Sequence, residues 1–216
     1  MIIPAINCQD YKTAQKLATI SLGFLPAGGW LHLDAADGVF TPAVTWGSPS
    51  GLKELIASNS EFIKLNFEAH LMVHNPEEIL EEWLQAGVKR VIIHQEPMKN
   101  PKFILDLCKQ YSVEAMLSIM PRTSRENFLP YLRSFPAFQV LAVSPGYAGQ
   151  KFGDEALELL KFLRARVLNA TIEVDGGISF ENAGFVKSAG ADLLTSASYI
   201  FNSPDPKTAY EDLTRA

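Results

Sequence analysis

The sequence predicts an α/β protein that folds as a single (β/α)8 TIM barrel over residues 1–216. Short apolar runs rich in β-branched residues alternate with amphipathic stretches along the whole chain. The runs are almost continuously apolar, which indicates strands buried on both faces of a parallel sheet. Eight such runs occur, and eight parallel strands close a (β/α)8 barrel. An open, doubly wound sheet is the alternative, but it usually has fewer strands.

The apolar runs are the predicted strands, and the stretches between them are the predicted helices. The eight strands are Ile2–Asn7, Trp30–Asp34, Asn66–Met72, Arg90–His94, Glu114–Ile119, Phe138–Val143, Thr171–Val174 and Leu193–Thr195. Among the helices, Pro76–Ala86 has proline at its first position, acidic residues in its first turn and Gly87 after its end. Asp154–Val167 begins acidic and ends basic, as the helix dipole favours, and Phe180–Ala189 is followed by Gly190.

Composition limits the class of protein. With 216 residues and 47% hydrophobic content, the chain can fill a large core, and 10% aromatic residues exclude a disordered chain. A net charge of −5 predicts no nucleic-acid face, and the lack of a long apolar run predicts no membrane span. The first residues lack a signal-peptide pattern, and Cys8 and Cys108 are not at metal-site spacing. We therefore expect a cytoplasmic protein with reduced thiols.

Polar residues at the predicted strand ends form a candidate metal site. The chemistry of such barrels takes place where the strands end. His32 and Asp34 are two residues apart, so both side chains point to one face of their strand, while His70 and Asp175 lie at the ends of two further strands. Two imidazoles and two carboxylates suit one divalent metal ion, either zinc, iron, manganese or cobalt. Taken alone, each residue is more often a core histidine or a turn-forming aspartate, so the prediction depends on all four together.

Glycine-rich segments after the sixth and seventh strands form a candidate ligand site. Residues 144–150, SPGYAGQ, either fold over a ligand or form an ordinary loop. Gly176 and Gly177 follow the seventh strand, and Ala197 and Ser198 follow the eighth. Barrels commonly bind phosphate at this place through backbone N–H groups, and a short helix after Ser198 would add the positive end of its dipole.

Five segments occur in the order and spacing of one known family. They read HLDAADGVFTPAVTWG, EAHLMV, SPGYAGQKF, IEVDGG and SASYIF. On these segments the sequence resembles the ribulose-phosphate 3-epimerase family over nearly its whole length. Each motif alone is weak, whereas the set is specific. The resemblance implies a barrel of the ribulose-phosphate-binding type, in agreement with the alternation of strands and helices.

The resemblance implies a role for each matching residue. His32, Asp34, His70 and Asp175 match the family's metal ligands, and Asp34 and Asp175 also match its two acid/base carboxylates. The implied enzyme is an isomerase that inverts C3 of a ketose phosphate through an enediolate, most simply converting D-ribulose 5-phosphate to D-xylulose 5-phosphate. A homo-oligomer is expected on the same ground. The residues expected to contact the substrate or its phosphate are Met72, Gly146, Tyr147, Ala148, Gly149, Gly176, Gly177, Ala197 and Ser198.

Several residues depart from the family's pattern in the pocket wall. Ala5 replaces a serine, Ala36 and Leu141 replace methionines, and Ala148 and Ala197 replace glycines. These changes leave the metal and acid/base residues intact. They keep open an epimerase for a hexulose 6-phosphate such as allulose 6-phosphate, because Ala36 enlarges the pocket. The sequence is also compatible with a non-catalytic sugar-phosphate-binding barrel and with a metal-dependent lyase or decarboxylase, because the fold alone does not fix the chemistry.

Overall fold

The computed structural model describes all 216 residues and contains a closed barrel of eight parallel strands. Neighbouring strands follow chain order around the barrel, and β8 pairs with β1 to close it. The predicted (β/α)8 barrel is therefore confirmed, and the open sheet is excluded. The strands are β1 (Ile2–Ile6), β2 (Trp30–Ala36), β3 (Asn66–Met72), β4 (Arg90–His94), β5 (Glu114–Ile119), β6 (Ala137–Leu141), β7 (Thr171–Asp175) and β8 (Leu193–Ser196).

Helices follow the strands and form the outer layer. They are α1 (Tyr11–Leu22), α2 (Pro49–Ser58), α3 (Pro76–Ala86), α4 (Pro101–Tyr111), α5 (Arg125–Phe128), α6 (Asp154–Arg164), α7 (Phe180–Ser188), α8 (Ser198–Phe201) and α9 (Pro206–Arg215), with 3-10 helices at Ser60–Lys64 and Leu129–Tyr131. None of them is both long and apolar enough to cross a membrane.

Some element ends differ from the predicted ones by a few residues. Strand β2 continues to Ala36 because its last residues pair with β3, where Ala36 lies opposite Met72. Strand β6 ends at Leu141, since the chain then leaves the sheet and Thr41 Oγ1 donates to the Pro145 carbonyl at 2.9 Å. Helix α6 ends at Arg164, three residues before the predicted end.

Helix α3 illustrates how the outer layer attaches to the barrel. Leu80, Trp83 and Leu84 lie on its inner side and are almost completely buried. Burial of each such side chain stabilises the fold by about 1.5–3 kcal/mol. Gly87 ends the helix with φ +98°, a left-handed conformation that glycine adopts without strain.

The barrel contains an apolar cluster and a polar layer. The apolar cluster consists of Ile3, Ile92, Met116, Ala137 and Leu193. Glu68 and Glu173 are also fully buried inside. They lie two residues before His70 and Asp175 on the same faces of β3 and β7, one layer below the open end of the barrel. The polar interior therefore leads directly to the strand ends that carry the predicted site.

Candidate active site

The four predicted metal ligands meet at the carboxyl ends of three strands and form a His–Asp cluster. His32 and Asp34 come from β2, His70 from β3 and Asp175 from β7. Asp34 Oδ1 lies 3.3 Å from His32 Nε2 and 3.1 Å from His70 Nδ1. Asp175 Oδ2 lies 3.5 Å from His70 Nδ1. One nitrogen or oxygen atom of each residue lies within 4.8 Å of the others.

A buried carboxylate orients His32. The Nδ1 atom of His32 donates to Glu68 Oε1 at 2.8 Å, and both side chains are fully buried. Arg90 Nη1 donates to Glu68 Oε2 at 2.6 Å, and Arg90 Nε donates to Glu114 Oε2 at 2.5 Å. Because the Nδ1 proton points to Glu68, Nε2 is the nitrogen of His32 that faces the cluster, and its lone pair becomes available to a metal ion once its proton is lost. Metal-binding histidines commonly have this orientation.

A second histidine orients His70. The Nε2 atoms of His70 and His94 are 2.9 Å apart, and the two rings are stacked. The carboxylates at His70 Nδ1 raise the pKa of this ring, so its Nε2 also carries a proton and donates to His94 Nε2. Burial lowers the pKa of His94 to about 4, so this ring is neutral near pH 7 and can accept. Its own proton then lies on Nδ1, which is 3.6 Å from Glu96 Oε2.

Electrostatics in the His–Asp cluster favour positive charge. Burial alone would lower the pKa of His32, but hydrogen bonds to Asp34 and Glu68 raise it well above its ordinary value. Burial also opposes the charged form of His70, yet Asp175 and Asp34 raise its pKa. Burial would raise the pKa of Asp34, but His32 and His70 hold it well below its ordinary value. The cluster therefore attracts either protons on its imidazoles or a cation.

The layer beneath the cluster carries less negative charge than its carboxylates suggest. Burial, together with the charge of Glu68, raises the pKa of Glu173 to about 8, so Glu173 is mostly protonated at neutral pH. Glu173 Oε1 accepts from Gln139 Nε2 at 3.0 Å, and Gln139 Oε1 accepts from Ser118 Oγ at 2.6 Å. The Arg90 guanidinium then balances the single buried charge of Glu68.

An open pocket lies over the cluster at the carboxyl ends of the strands, the place where (β/α)8 barrels carry their active sites. Asp34, His70 and Asp175 line it, whereas His32 is fully buried beneath. The pocket wall also contains all of the predicted substrate and phosphate residues, Met72, Gly146, Tyr147, Ala148, Gly149, Gly176, Gly177, Ala197 and Ser198.

Two glycines allow the backbone to approach closely around this pocket. Gly146 has φ +103°, and a Cβ atom there would lie 2.4 Å from Thr41 Oγ1. Gly177 has φ +69°, and a Cβ atom there would lie 2.2 Å from the backbone nitrogen of Phe152. Any side chain at either position would force the neighbouring loops apart.

The two alanines that replace family glycines need no such freedom. Ala197 has φ −102°, and Ser112, remote from the pocket, is the one non-glycine residue with positive φ. Ala148 therefore also has negative φ, and neither substitution strains the backbone. The predicted helix after the eighth strand does begin at Ser198, but it is only four residues long.

Comparison with known proteins identifies the family. The Ribulose-phosphate 3 epimerase family matches residues 2–201. The chain belongs to this family. A ribulose-phosphate 3-epimerase of Chlamydia muridarum is 35% identical over 177 residues, which cover 79% of this chain and 75% of the relative. One of Mycobacterium tuberculosis is 29% identical over 220 residues, which cover 100% of this chain and 92% of the relative. The protein is thus an epimerase, a member of the isomerase class.

More distant proteins share the fold of this epimerase. The 3-hexulose-6-phosphate synthase of Salmonella typhimurium has a TM-score of 0.73 and 14% sequence identity, covering 99% of this chain and 96% of that one. Likeness at this level shows a common fold and leaves the chemistry open. Family membership, rather than the barrel itself, separates this epimerase from lyases and decarboxylases.

Three polar residues around the site of this epimerase were not predicted from the sequence. They are Asn7, Glu68 and Glu173. A simple signal would have found the two glutamates, because each precedes a predicted ligand by two residues and therefore shares its strand face. Asn7 follows the end of β1, two residues after Ala5, and both line the pocket.

Proposed function

We propose that this epimerase inverts C3 of D-ribulose 5-phosphate to form D-xylulose 5-phosphate. The observation that carries the proposal is that two carboxylates, Asp34 and Asp175, enter one pocket from β2 and β7, which are separated around the barrel by β1 and β8. Inversion removes a proton from one face of a carbon and returns a proton to the other face, so it needs two such groups. The names of the relatives, ribulose-phosphate 3-epimerases, support a pentulose phosphate as substrate.

Asp34 and Asp175 are the proposed acid/base pair. Their side chains are 10% and 15% exposed, so each carboxylate reaches the pocket while the protein holds most of it in place. One carboxylate takes the C3 proton and leaves an enediolate. The other then delivers a proton to the opposite face of C3. The nearly buried Met72 contributes apolar surface beside this reaction.

The His–Asp cluster fits a divalent metal ion. Its two imidazole nitrogens and two carboxylate oxygens suit zinc, iron, manganese or cobalt. The other ring nitrogens of its histidines already contact Glu68 and His94, as the outer nitrogens of metal-binding histidines usually do. When bound, such an ion supplies Lewis-acid stabilisation of the negative charge that develops on the substrate.

The phosphate of the substrate is proposed to bind at the turns after β7 and β8. No lysine or arginine lines the pocket, so a phosphate there must be held by neutral donors. Gly176, Gly177, Ala197 and Ser198 offer backbone N–H groups and one hydroxyl. Successive backbone N–H groups in turns are effective anion donors. Binding at this end positions C3 between the two carboxylates.

Proton NMR in D2O tests the proposed reaction. Purified protein, with its bound metal measured by mass spectrometry, is incubated with D-ribulose 5-phosphate. We expect xylulose 5-phosphate to form with deuterium at C3, because the returned proton comes from solvent. If metal-loaded protein produces no xylulose 5-phosphate and no deuterium enters C3, the proposal is refuted. Exchange with allulose 6-phosphate alone would refute the pentulose assignment and support a hexulose phosphate as substrate.

The same preparation tests two further expectations. Light scattering after size-exclusion chromatography measures the proposed homo-oligomeric state, which a monomeric mass would contradict. Metal analysis identifies the ion, and a preparation that is active without any divalent metal would contradict the proposed cofactor. The cytoplasmic location stays a prediction.

A further inference from the structure

The Asn7 side chain connects the proposed acid/base residue Asp34 to the loop over the pocket. Asn7 Nδ2 donates to Asp34 Oδ2 at 2.8 Å and also lies 3.4 Å from the Gly146 carbonyl oxygen. A side-chain amide has two N–H donors, so both contacts can form at once. The loop end of this bridge is itself anchored, because Thr41 Oγ1 donates to the Pro145 carbonyl at 2.9 Å.

The two oxygens of Asp34 have separate partners. Oδ1 lies 3.3 Å from His32 Nε2 and 3.1 Å from His70 Nδ1, so it faces the imidazoles that would share a metal ion. Oδ2 instead receives the Asn7 amide. A carboxylate oxygen has two lone pairs, so one hydrogen bond from a neutral donor fixes its direction and leaves a lone pair for a proton. Oδ2 is therefore the oxygen that is both oriented and available.

We propose that Asn7 is a positioning residue that orients Asp34 Oδ2 for proton transfer at C3. The inference rests on the proposed function, since it assumes that Asp34 exchanges a proton with the substrate. It assigns different tasks to the two oxygens of one carboxylate: Oδ1 faces the metal site, and Oδ2, held by Asn7, faces the reacting carbon. Asn7 makes no hydrogen bond to the imidazoles or to Asp175, so its contribution is confined to the Asp34 side of the reaction.

The variants Asn7→Ala and Asn7→Leu remove the amide donor, and Asn7→Leu keeps most of the side-chain volume. Because hydrogen bonds to charged groups are among the stronger ones in proteins, we expect kcat to fall about ten- to hundredfold with a much smaller change in KM. Metal content after dialysis should stay at the wild-type value, because Asn7 does not contact Oδ1.

The deciding measurement is the C3-deuterium isotope effect in both directions, from deuterated ribulose and xylulose 5-phosphates. Asp34 removes the C3 proton in one direction and delivers a proton in the other. If proton transfer by Asp34 is slowed, the isotope effect rises in the direction in which Asp34 removes the C3 proton. It falls in the opposite direction, in which Asp34 delivers the proton. In the direction in which Asp34 delivers the proton, solvent hydrogen should also enter C3 of the starting epimer. A general disturbance of the pocket would not produce this asymmetry.

Gln150→Ala is the matched control. Gln150 Nε2 donates to the carbonyls of Ser144 at 2.7 Å and Tyr147 at 2.8 Å, so it braces the same loop, but it makes no hydrogen bond to Asp34. We expect it to change KM and to leave the isotope effects as in the wild type. The assignment would be overturned if both Asn7 variants kept the wild-type isotope effects or lost metal. It would also be overturned if Gln150→Ala showed the same asymmetry of the isotope effects. A wild-type protein that fails to epimerise would instead overturn the proposed function, and this inference with it.

Discussion

Replacing Glu68 by Gln tests whether the buried carboxylate beneath His32 prepares that imidazole for metal binding. Glu68 Oε1 accepts the Nδ1 proton of His32 at 2.8 Å, and neither side chain is exposed. The variant turns a charged acceptor into a neutral one. Hydrogen bonds to charged groups contribute about 1.5–3 kcal/mol and neutral ones about 0.5–1.5 kcal/mol, so the expected loss is about 1–2 kcal/mol. That loss corresponds to roughly five- to thirtyfold weaker metal binding.

The fold should tolerate this change better than most losses of a buried charge. Arg90 keeps Glu114, and a Glu173 oxygen lies 3.7 Å from Arg90 Nη1. The charge of Glu68 helps to hold the pKa of Glu173 near 8, so its removal favours ionisation of Glu173 beside the guanidinium. We therefore expect a stability loss below the about 3–5 kcal/mol typical of an unpaired buried charge.

Isothermal titration of metal-free protein with Zn²⁺, in competition with a chelator, measures the affinity. The control is Glu114→Gln, which also removes a carboxylate from Arg90 but does not contact His32. Metal affinity within about twofold of wild type in Glu68→Gln would refute the argument. So would an equal loss in both variants, because the effect would then come from Arg90 and not from the orientation of His32.

Three further predictions follow from the geometry of the site. Asp34→Asn and Asp175→Asn should each lower kcat by about 10²–10⁴-fold with an unchanged circular dichroism spectrum, and near-normal turnover in either would contradict the two-carboxylate assignment. Gly177→Ala should lower the thermal unfolding midpoint more than Gly149→Ala. Both glycines have positive φ, which alone costs alanine about 1–2 kcal/mol, but only Gly177 has backbone atoms within 3 Å of a new Cβ atom. Equal shifts of the midpoint in the two variants would contradict the clash. His94 has a pKa of about 4 in the folded protein against 6.5 in the unfolded chain. Between these two values the unfolded chain binds a proton on His94 that the folded protein does not, so this residue lowers the stability of the fold as pH falls from 6.5 to about 4. Metal-free His94→Gln should therefore lose about 2 kcal/mol less than wild type between pH 7 and pH 4.5 in urea titrations, whereas equal losses would show that His94 does not resist protonation.

The fold was predictable because its signals are local. Each strand is a short apolar run, and each run becomes a strand at nearly the expected residues, as for Arg90–His94 and Glu114–Ile119. Eight such strands separated by helices leave little choice of parallel architecture. The ends of β2 and β6 were less predictable. They depend on pairing between Ala36 and Met72 and on the loop that carries Pro145, which are contacts between distant parts of the chain.

The membership of the His–Asp cluster was also predictable, because all four residues occupy strand ends that a barrel brings together. The hydrogen-bond partners of these four residues were not predictable from the sequence. Asn7 and Asp34 are 27 residues apart, Asn7 and Gly146 are 139 apart, and His32 and Glu68 are 36 apart. The pattern within β3 gives the face on which Glu68 lies, but whether Glu68 meets His32 depends on the register between β2 and β3. The contacts of Asn7 depend on how closely the segments after β1 and β6 approach each other.

The sequence by itself determined the number and order of the strands, the family and the residues that converge at the carboxyl end of the barrel. Strand periodicity and the identity of the strand-end side chains are properties of short segments, so they can be read without coordinates. Only the tertiary structure decided which nitrogen of each histidine faces the cluster, that burial raises the pKa of Glu173 and that Asn7 binds one oxygen of Asp34. These features depend on burial and on distances of about 3 Å between strands, which arise only when the barrel closes.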